Sequence, residues 1–464
     1  MADGDLAGQA AGRAAVDRRR LHALIERERT SYAAAHGASL RAYRQAGTHL
    51  LGGVPMTWMR MWPGGFPLYL ATARGARLAD IDGNIFTDFC LGDTGAMAGH
   101  SPSPVQAAVA QRYGELGGAT TMLPTEDAAW VAADLARRFG PQYWSFTLSA
   151  TDANRWALRI VRQITGRPKI LVYSYCYHGS VDETFVVATA EGPRSRPGNT
   201  GAPVDPAATT RVVEFNDAAA LERELAAGDV AAVLMEPAMT NIGIVLPEPG
   251  YLTAVRELTR TYGTLLINDE THTFSAGPGG CTRAWRLDPD VVTIGKSIGG
   301  GIPCGAYGLS AVLAERILAD DTADIVDTGG VGGTLAGNAL SVAAMRATLE
   351  HVLTEDAFAS MIALADRFTA GVRDVIDSRS LPWSIVQLGA RAEYRFSPAP
   401  PRSGGESEAA ADEALDEYLH LYLANRGILI TPFHNMALMC PATADADVDA
   451  HSGLFAAAAD ELVS

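Results

Sequence analysis

The chain is poor in the features that mark several large functional classes. Its 464 residues hold only five cysteines: Cys90, Cys176, Cys281, Cys304 and Cys440. None forms a C-x-x-C or another close pair, so neither a disulfide framework nor a zinc or other metal site is indicated, and a reducing cytosol fits best. Positive charge is in deficit. The 37 Lys and Arg against 53 Asp and Glu leave a net charge of −16, which argues against a nucleic-acid backbone or an anionic membrane as partner. No uninterrupted apolar run is long enough to span a bilayer. Met1 to Arg20 is Ala/Gly/Asp-rich and then basic. It lacks the apolar core of a signal peptide, and its first part reads as a disordered lead-in. There is no repeat at solenoid spacing. What is present is a composition 48% hydrophobic, that of a soluble globular protein. The length suits one large and one smaller domain sharing an extensive core.

The pattern predicts a lead-in at 1–20, the N-terminal part of a small domain at 21–75, a large domain at 76–340 and a C-terminal small domain at 341–464. About Arg18 to Ala46 is rich in helix formers and reads as one or two helices. A Met- and Trp-loaded loop follows, Gly52 to Gly65, and then a hairpin around Asp82-Gly83. From about Ser103 to Gly308, short β-like runs alternate with amphipathic stretches. The runs are Tyr143–Leu148, Lys169–Tyr173, Ala231–Met235, Thr264–Asn268 and Val291–Ile294. That alternation means βαβ units and a mostly parallel sheet with helices on both faces. Gly192 to Pro206 reads as a long surface loop. After Gly337 come helices near Asn338–Leu353 and Asp356–Ile376, strand-like Trp383–Val386, and a flexible Pro398 to Glu408. A helix, a strand at Gly427–Thr431 and a last helix complete an α+β domain.

Five stations carry chemistry, each at or just past the end of a predicted strand. Ser149-Ala-Thr-Asp-Ala-Asn154 joins a strand to a helix and offers free N–H groups and a positive helix end to a phosphate; alone it is an ordinary N-cap. Tyr177-His178-Gly179 offers an aromatic face for a planar cofactor. Glu236-Pro237-Ala-Met-Thr-Asn241 ends in an amide able to donate to a phenolate oxygen. Leu265-Leu-Ile-Asn-Asp269-Glu270 ends an apolar strand in two carboxylates. Asp290-Val-Val-Thr-Ile-Gly-Lys296 ends one in a lysine, where desolvation favours the nucleophilic amine. An acid for a pyridinium nitrogen and a lysine for a Schiff base are the two side chains a pyridoxal phosphate site needs. The clustering of all five at one sheet edge, where open α/β sheets bind ligands, makes independent accidents improbable. Gly295-Lys296-Ser297 echoes a phosphate-binding P-loop, but Asp290 stands where that motif needs glycine, so ATP binding is not supported.

In its motifs the chain resembles the class III pyridoxal-phosphate aminotransferases, and most of all their glutamate-1-semialdehyde aminomutase-like branch. The motifs fall in order from about Gly52 onward: Asp82-Gly-Asn84, Gly99-His100, Ala150-Thr-Asp-Ala153, Tyr177-His-Gly179, Glu236-Pro237, Asp269-Glu270, Gly295-Lys296, Gly299-Gly-Gly301 and Gly333-Thr334-Leu-Ala-Gly-Asn338. The resemblance implies an α/β fold of type I, a large domain with a mostly parallel central sheet plus a smaller α+β domain, working as a homodimer with active sites at the subunit interface. By position, Lys296 resembles the Schiff-base lysine and Asp269 the pyridinium partner. Ala150 and Thr151 resemble the phosphate loop, Tyr177 the stacking aromatic and Asn241 the donor to the phenolic oxygen. Thr334 resembles the threonine reaching the neighbouring subunit's phosphate. His178, Glu236 and Thr271 complete the expected cofactor shell. Three departures stand out. Ala150 replaces the usual glycine, stiffening the phosphate turn. Thr271 replaces an apolar residue packed under the ring, and His272 after it reads as a hydrogen-bonded structural histidine, with cofactor tuning as the alternative. Pro432-Phe-His-Asn435 lies where the aminomutase carries a glutamate, and no carboxylate is evident there.

These readings lead to the expectation of a ping-pong transamination. Lys296 acts as general acid/base, moving an amino group from a bulky primary amine or a non-α (β or ω) amino acid to a keto acid such as pyruvate or 2-oxoglutarate. Trp58, Arg60, Thr94 and Asn435 are the expected substrate residues. The three Met and two Trp of Met56–Trp62 suit an adaptable apolar pocket and suit a dimer interface equally. Arg60 has the fork to hold a carboxylate. The alternatives are a 2,1-aminomutase of the glutamate-1-semialdehyde type, a lyase on the same scaffold, or a non-catalytic relative.

Overall fold

The computed structural model describes residues 16–201, 205–320 and 330–463. Most of the expected N-terminal lead-in lies outside them, as do residues 202–204 of the expected surface loop. The chain divides into two compact units. One comprises residues up to Asp93, Ser360–Pro400 and the chain from Ala410; the other comprises Thr94–Ala359 and Pro401–Ala409.

The second unit is built on a seven-stranded sheet. Its spatial order is Tyr143–Thr147, Gly305–Leu309, Val291–Gly295, Leu265–Asp269, Val230–Met235, Lys169–Tyr173 and Thr210–Val213. Gly305–Leu309 is antiparallel to both its neighbours, and the other strands run parallel. Val230–Met235 and Val291–Gly295 are buried at every residue, as parallel strands covered on both faces must be. Their Val, Leu and Ile side chains form one core with the buried stripe of the helix Ala150–Thr165, namely Ala153, Ala157, Leu158 and Val161. Lys169 opens its strand and pairs with Asp229 at 3.4 Å.

Two of these strands escape the sequence pattern. Thr210–Val213 is a short edge strand, and Gly305–Leu309 carries two glycines in five residues. The glycines answer to packing: a Cβ on Gly305 would sit 2.5 Å from Thr147 Oγ1 and 2.6 Å from the Ser149 carbonyl oxygen, and one on Gly308 would sit 2.5 Å from the Trp144 ring. Part of the segment expected as a loop from Gly192 is a strand, Gly192–Ser195, paired antiparallel with Val186–Thr189. The expected flexible segment after Pro398 holds the helix Gly404–Ala409, where buried Ser407 donates to the Ile242 carbonyl.

The first unit carries two helices at its start, Arg18–Ala35 and Gly37–Ala46. Asp17 caps the first, accepting from the Arg19 N–H at 2.9 Å. A four-stranded sheet runs Leu70–Arg74, Arg77–Asp80, Ile85–Asp88 and Ile428–Leu429. Its hairpin turns at Gly83, whose φ of 91° only glycine adopts freely. A three-stranded sheet runs Ser384–Leu388, Arg391–Arg395 and Met436–Leu438. The strand expected at Gly427–Thr431 is confined to Ile428–Leu429, which pairs parallel with Thr87 and Asp88. The helices Glu355–Ser378 and Asp445–Val463 complete the C-terminal part. All five cysteines are free and buried.

Candidate active site

The parallel strands of the large sheet end at one edge, and the five stations follow five of those ends. Asp269 is the last residue of its strand, and its carboxylate is buried. Oδ2 accepts from Asn154 Nδ2 at 2.8 Å and lies 2.9 Å from His178 Nδ1, and Oδ1 accepts from the Thr271 N–H at 3.0 Å. Burial alone would push this carboxyl up. The hydrogen bond and charge of His178 outweigh it and leave the group below the usual carboxylate range. Burial would likewise hold His178 neutral, but Cys176 and the Asp269 carboxylate raise it well above the ordinary histidine value. Each partner thus favours the charged form of the other. Asn154 spends its amide on this arrangement: Oδ1 accepts from Thr293 Oγ1 at 2.6 Å, and Nδ2 also donates to the His178 carbonyl at 3.1 Å.

Glu270 points elsewhere. Its carboxylate takes the N–H groups of Cys281 and Thr282 at 3.1 and 2.6 Å and the hydroxyls of Thr273 and Thr282 at 2.5 Å each. It closes the turn at Gly280, where a Cβ would meet Glu270 Oε2 at 2.2 Å. Of the two strand-end acids, Asp269 belongs to the site and Glu270 to the frame.

Lys296 follows its strand in the left-handed region, with φ 51°, a conformation costly for a residue with a side chain. Its Nζ lies 2.7 Å from His272 Nε2. On the far side of the ring, His272 Nδ1 lies 3.0 Å from Thr94 Oγ1. Thr94 is fully buried and also strained, with φ 80° in a β-branched residue. Thr94, expected as a substrate wall, thus directs its hydroxyl to His272.

The start of the helix Ala150–Thr165 lies against the lysine turn. Ser149 caps it, accepting from the Asp152 N–H at 3.2 Å, and Ala150 and Thr151 open its first turn. Gly295 makes the approach possible: a Cβ there would lie 2.8 Å from the Ala150 nitrogen. Gly179 does the same on the other side, where a Cβ would fall 2.0 Å from Thr151 Oγ1. That hydroxyl accepts from the Ser180 N–H at 3.2 Å. Close by in sequence to the reactive pair, Thr271 Oγ1 and Ser297 Oγ are buried with no hydrogen-bond partner among the described residues. A capped helix start, an ionised buried acid, a lysine and two unsatisfied buried hydroxyls are a donor set that fits pyridoxal phosphate.

Other expected residues take varied places. Glu236 is buried, and burial pushes its carboxyl up to about 7 despite the nearby positive His178; Thr240 donates to it through its hydroxyl. Tyr177 is half-buried and meets Phe185 edge-on at 6.0 Å. Asn241 is half-buried and bridges to Gly243. Thr334 is exposed in the glycine-rich segment before the helix Ala339–His351.

Trp58, Arg60 and Asn435 belong to the first unit. Trp58 packs edge-on against Phe433 at 5.6 Å, and exposed Arg60 lies along Gly52. Asn435 is buried with its amide engaged at both ends. Oδ1 is 3.1 Å from His420 Nε2, and Nδ2 donates to Asp416 at 2.6 Å, so its expected role as a substrate contact is not carried forward. Asp416 holds Asn435, and buried Glu393 lies 3.4 Å from His434 Nδ1. Sequence reasoning missed Asn154 and the link from His272 to Lys296. Asn154 had a signal, being a polar residue on the buried stripe of an amphipathic helix. His272 had only its nearness to Asp269.

Comparison with known proteins matches this geometry to a family. The model of the class-III aminotransferases covers residues 61–455. The glutamate-1-semialdehyde 2,1-aminomutase of Chloroflexus aggregans is 33% identical over 400 residues, which is 83% of this chain and 89% of that protein. Among solved structures, a lysine-to-alanine variant of a glutamate-1-semialdehyde-aminomutase from Pseudomonas aeruginosa, in complex with PMP, superposes with a TM-score of 0.94. It is 49% identical and covers 96% of this chain and 99% of its own. An omega-transaminase from Sphaerobacter thermophilus superposes with a TM-score of 0.83 at 29% identity, over 92% of this chain and 98% of its own. The higher identity lies with aminomutases. That overturns the expected transfer from an amine donor to a separate keto acid and favours the alternative first set beside it. With its type I fold and a site suited to pyridoxal phosphate, the cofactor of the group, this chain belongs to the class-III aminotransferase family, in its glutamate-1-semialdehyde aminomutase-like branch.

Proposed function

We propose that the chain is an aminomutase that exchanges an amino and an oxo group between adjacent carbons of one molecule, with glutamate-1-semialdehyde or a close amino aldehyde as substrate. The observation that carries this reading is the 49% identity to a glutamate-1-semialdehyde-aminomutase across nearly the full length of both chains.

Bound pyridoxal phosphate supplies an electron sink that acidifies the carbon bearing the amino group. The chain's own residues do the rest. Asp269, beside His178 and Asn154, would pair with the ring nitrogen and favour its protonated form. Ala150 and Thr151 at the helix start would hold the phosphate, Tyr177 would cover the ring, and Asn241 would donate to its phenolic oxygen. His178 supports the acid, Glu236 lies near enough for Asp269 to raise its carboxyl, and Thr271 offers its hydroxyl. Lys296 anchors the aldehyde carbon and moves a proton to and from the substrate carbon. Thr334 reaches the phosphate of the neighbouring subunit in a homodimer; the exposed Tyr113, Leu116, Met122 and Leu123 support such an interface. A cytoplasmic setting suits the five free cysteines.

One substrate without any keto acid is the test. Formation of the isomer with its amino and oxo groups exchanged is expected; product only on addition of a keto acid would sink the reading. Lys296→Ala is expected to lose the visible absorbance of lysine-bound cofactor together with turnover.

A further inference from the structure

An amine must carry a free electron pair before it can bond a carbon. His272 Nε2 stands 2.7 Å from Lys296 Nζ, a full hydrogen bond between two basic nitrogens. Two nitrogens at that distance share one proton, which lies on the amine or on the ring. The opposite ring nitrogen, Nδ1, is 3.0 Å from Thr94 Oγ1, so a hydroxyl oxygen is placed to accept from Nδ1–H and leave the Nε2 lone pair facing the lysine.

The backbone shows that this line of three groups is held against a cost. Lys296 has φ 51° and Thr94 has φ 80°, both in the left-handed region that side chains disfavour. Strain of this kind persists only where the surroundings over-determine it, and it gathers at functional positions. Here it flanks His272 on both sides. His272 is buried, at 8% exposure, and its ring stands closer to Nζ than a solvent molecule outside the site could be held.

We propose that His272 is the proton acceptor of Lys296, with Thr94 fixing its tautomer. Nζ passes one proton to Nε2 and uses the freed electron pair to bond the aldehyde carbon of pyridoxal phosphate. The aldehyde oxygen leaves as water with the two protons remaining on nitrogen. The imidazolium keeps its Nδ1–H bond to Thr94 Oγ1, which holds the ring in place while the proton sits on Nε2. This rests on Lys296 being the residue that bonds the cofactor.

The test is a stopped-flow measurement on full-length protein freed of cofactor and mixed with pyridoxal phosphate. The rate of appearance of the visible band reports covalent capture, and PMP affinity reports the non-covalent site. Lys296→Ala is the control for the parent reading. If it forms the band as the unaltered protein does, the lysine assignment fails, whatever His272 does. His272→Gln keeps a polar group near the lysine but cannot take its proton. It is expected to slow capture by about 100-fold, the scale of a positioned general base, with PMP affinity unchanged. Capture at the unaltered rate would overturn the proposal, because a purely structural histidine needs only its hydrogen bond. Thr94→Val retains the branched shape and removes the hydroxyl. It is expected to slow capture about tenfold, the cost of roughly one hydrogen bond. Should His272→Gln fold poorly, an unaltered rate in Thr94→Val overturns the proposal in its place.

Discussion

At the scale of single residues, the site depends on charges kept where burial would erase them. Asp269→Asn preserves the shape of the carboxylate and its place beside His178 while removing its charge. Turnover should fall by about 100-fold or more, the loss typical of removing one preorganised electrostatic partner, and PMP should still bind. A variant with full turnover would remove Asp269 from the mechanism. Glu236 has the opposite bias. Its folded value of about 7 lies above its ordinary 4.5, so the folded chain holds that proton more tightly than the unfolded one. The stability it contributes is complete below about 4.5 and is lost as pH rises through about 7. In urea titrations of cofactor-free protein, the unaltered chain should lose stability relative to Glu236→Gln across that interval. Parallel curves would show that Glu236 does not titrate there. The strand-end positions of Asp269 and Lys296 were legible in the sequence because each ends an apolar run, a purely local signal. The bond from His272 to Lys296 was not, because it joins the ends of two strands 24 residues apart and is completed by Thr94, 178 residues from His272.

At the scale of elements, glycine decides how closely the strands and the helix start approach. Gly305→Ala would press a methyl group against the Ser149 carbonyl and Thr147, both fixed parts of the helix entrance. A cost of about 1–3 kcal/mol is expected from such overpacking, read as a lower urea midpoint. Gly453, exposed within the helix Asp445–Val463, has nothing within 4 Å of its missing Cβ. Gly453→Ala should therefore raise stability by about 0.5–1 kcal/mol through helix propensity alone. A midpoint unchanged or raised in Gly305→Ala would refute close packing at Gly305. The same glycines explain why the strand Gly305–Leu309 was hidden. A sequence pattern looks for β-branched residues, and here packing excludes them. The strands of Val, Ile and Leu around it were visible for the converse reason. The acids Glu393 and Asp416 escaped notice because they approach His434 and Asn435 from a different strand and helix.

At the scale of the whole molecule, the homodimer proposal makes a complementation test decisive. With Lys296 supplied by one chain and Thr334 by the other, neither Lys296→Ala nor Thr334→Ala homodimers should show full activity. Mixed dimers of the two variants should regain one intact site. Activity of the mixture no higher than that of Thr334→Ala alone would mean that each chain completes its own site. The family and the mostly parallel α/β class were readable from motifs because the parallel architecture spaces its functional turns regularly along the chain, whereas the order of the strands in the sheet was not. A surface for a partner subunit was not, since the exposed Met and half-buried Trp side chains of Met56–Trp62 suit a pocket and an interface alike.

The pairing of Lys169 with Asp229 has a practical sequel. Lys169 and Lys296 are the only two lysines in the sequence, and one of them is tied into an ion pair at the opening of its strand. Borohydride fixation of the vitamin B6 aldehyde can therefore mark only Lys296, Lys169 or the terminal amine, and peptide mass mapping would read the attachment point from a handful of fragments.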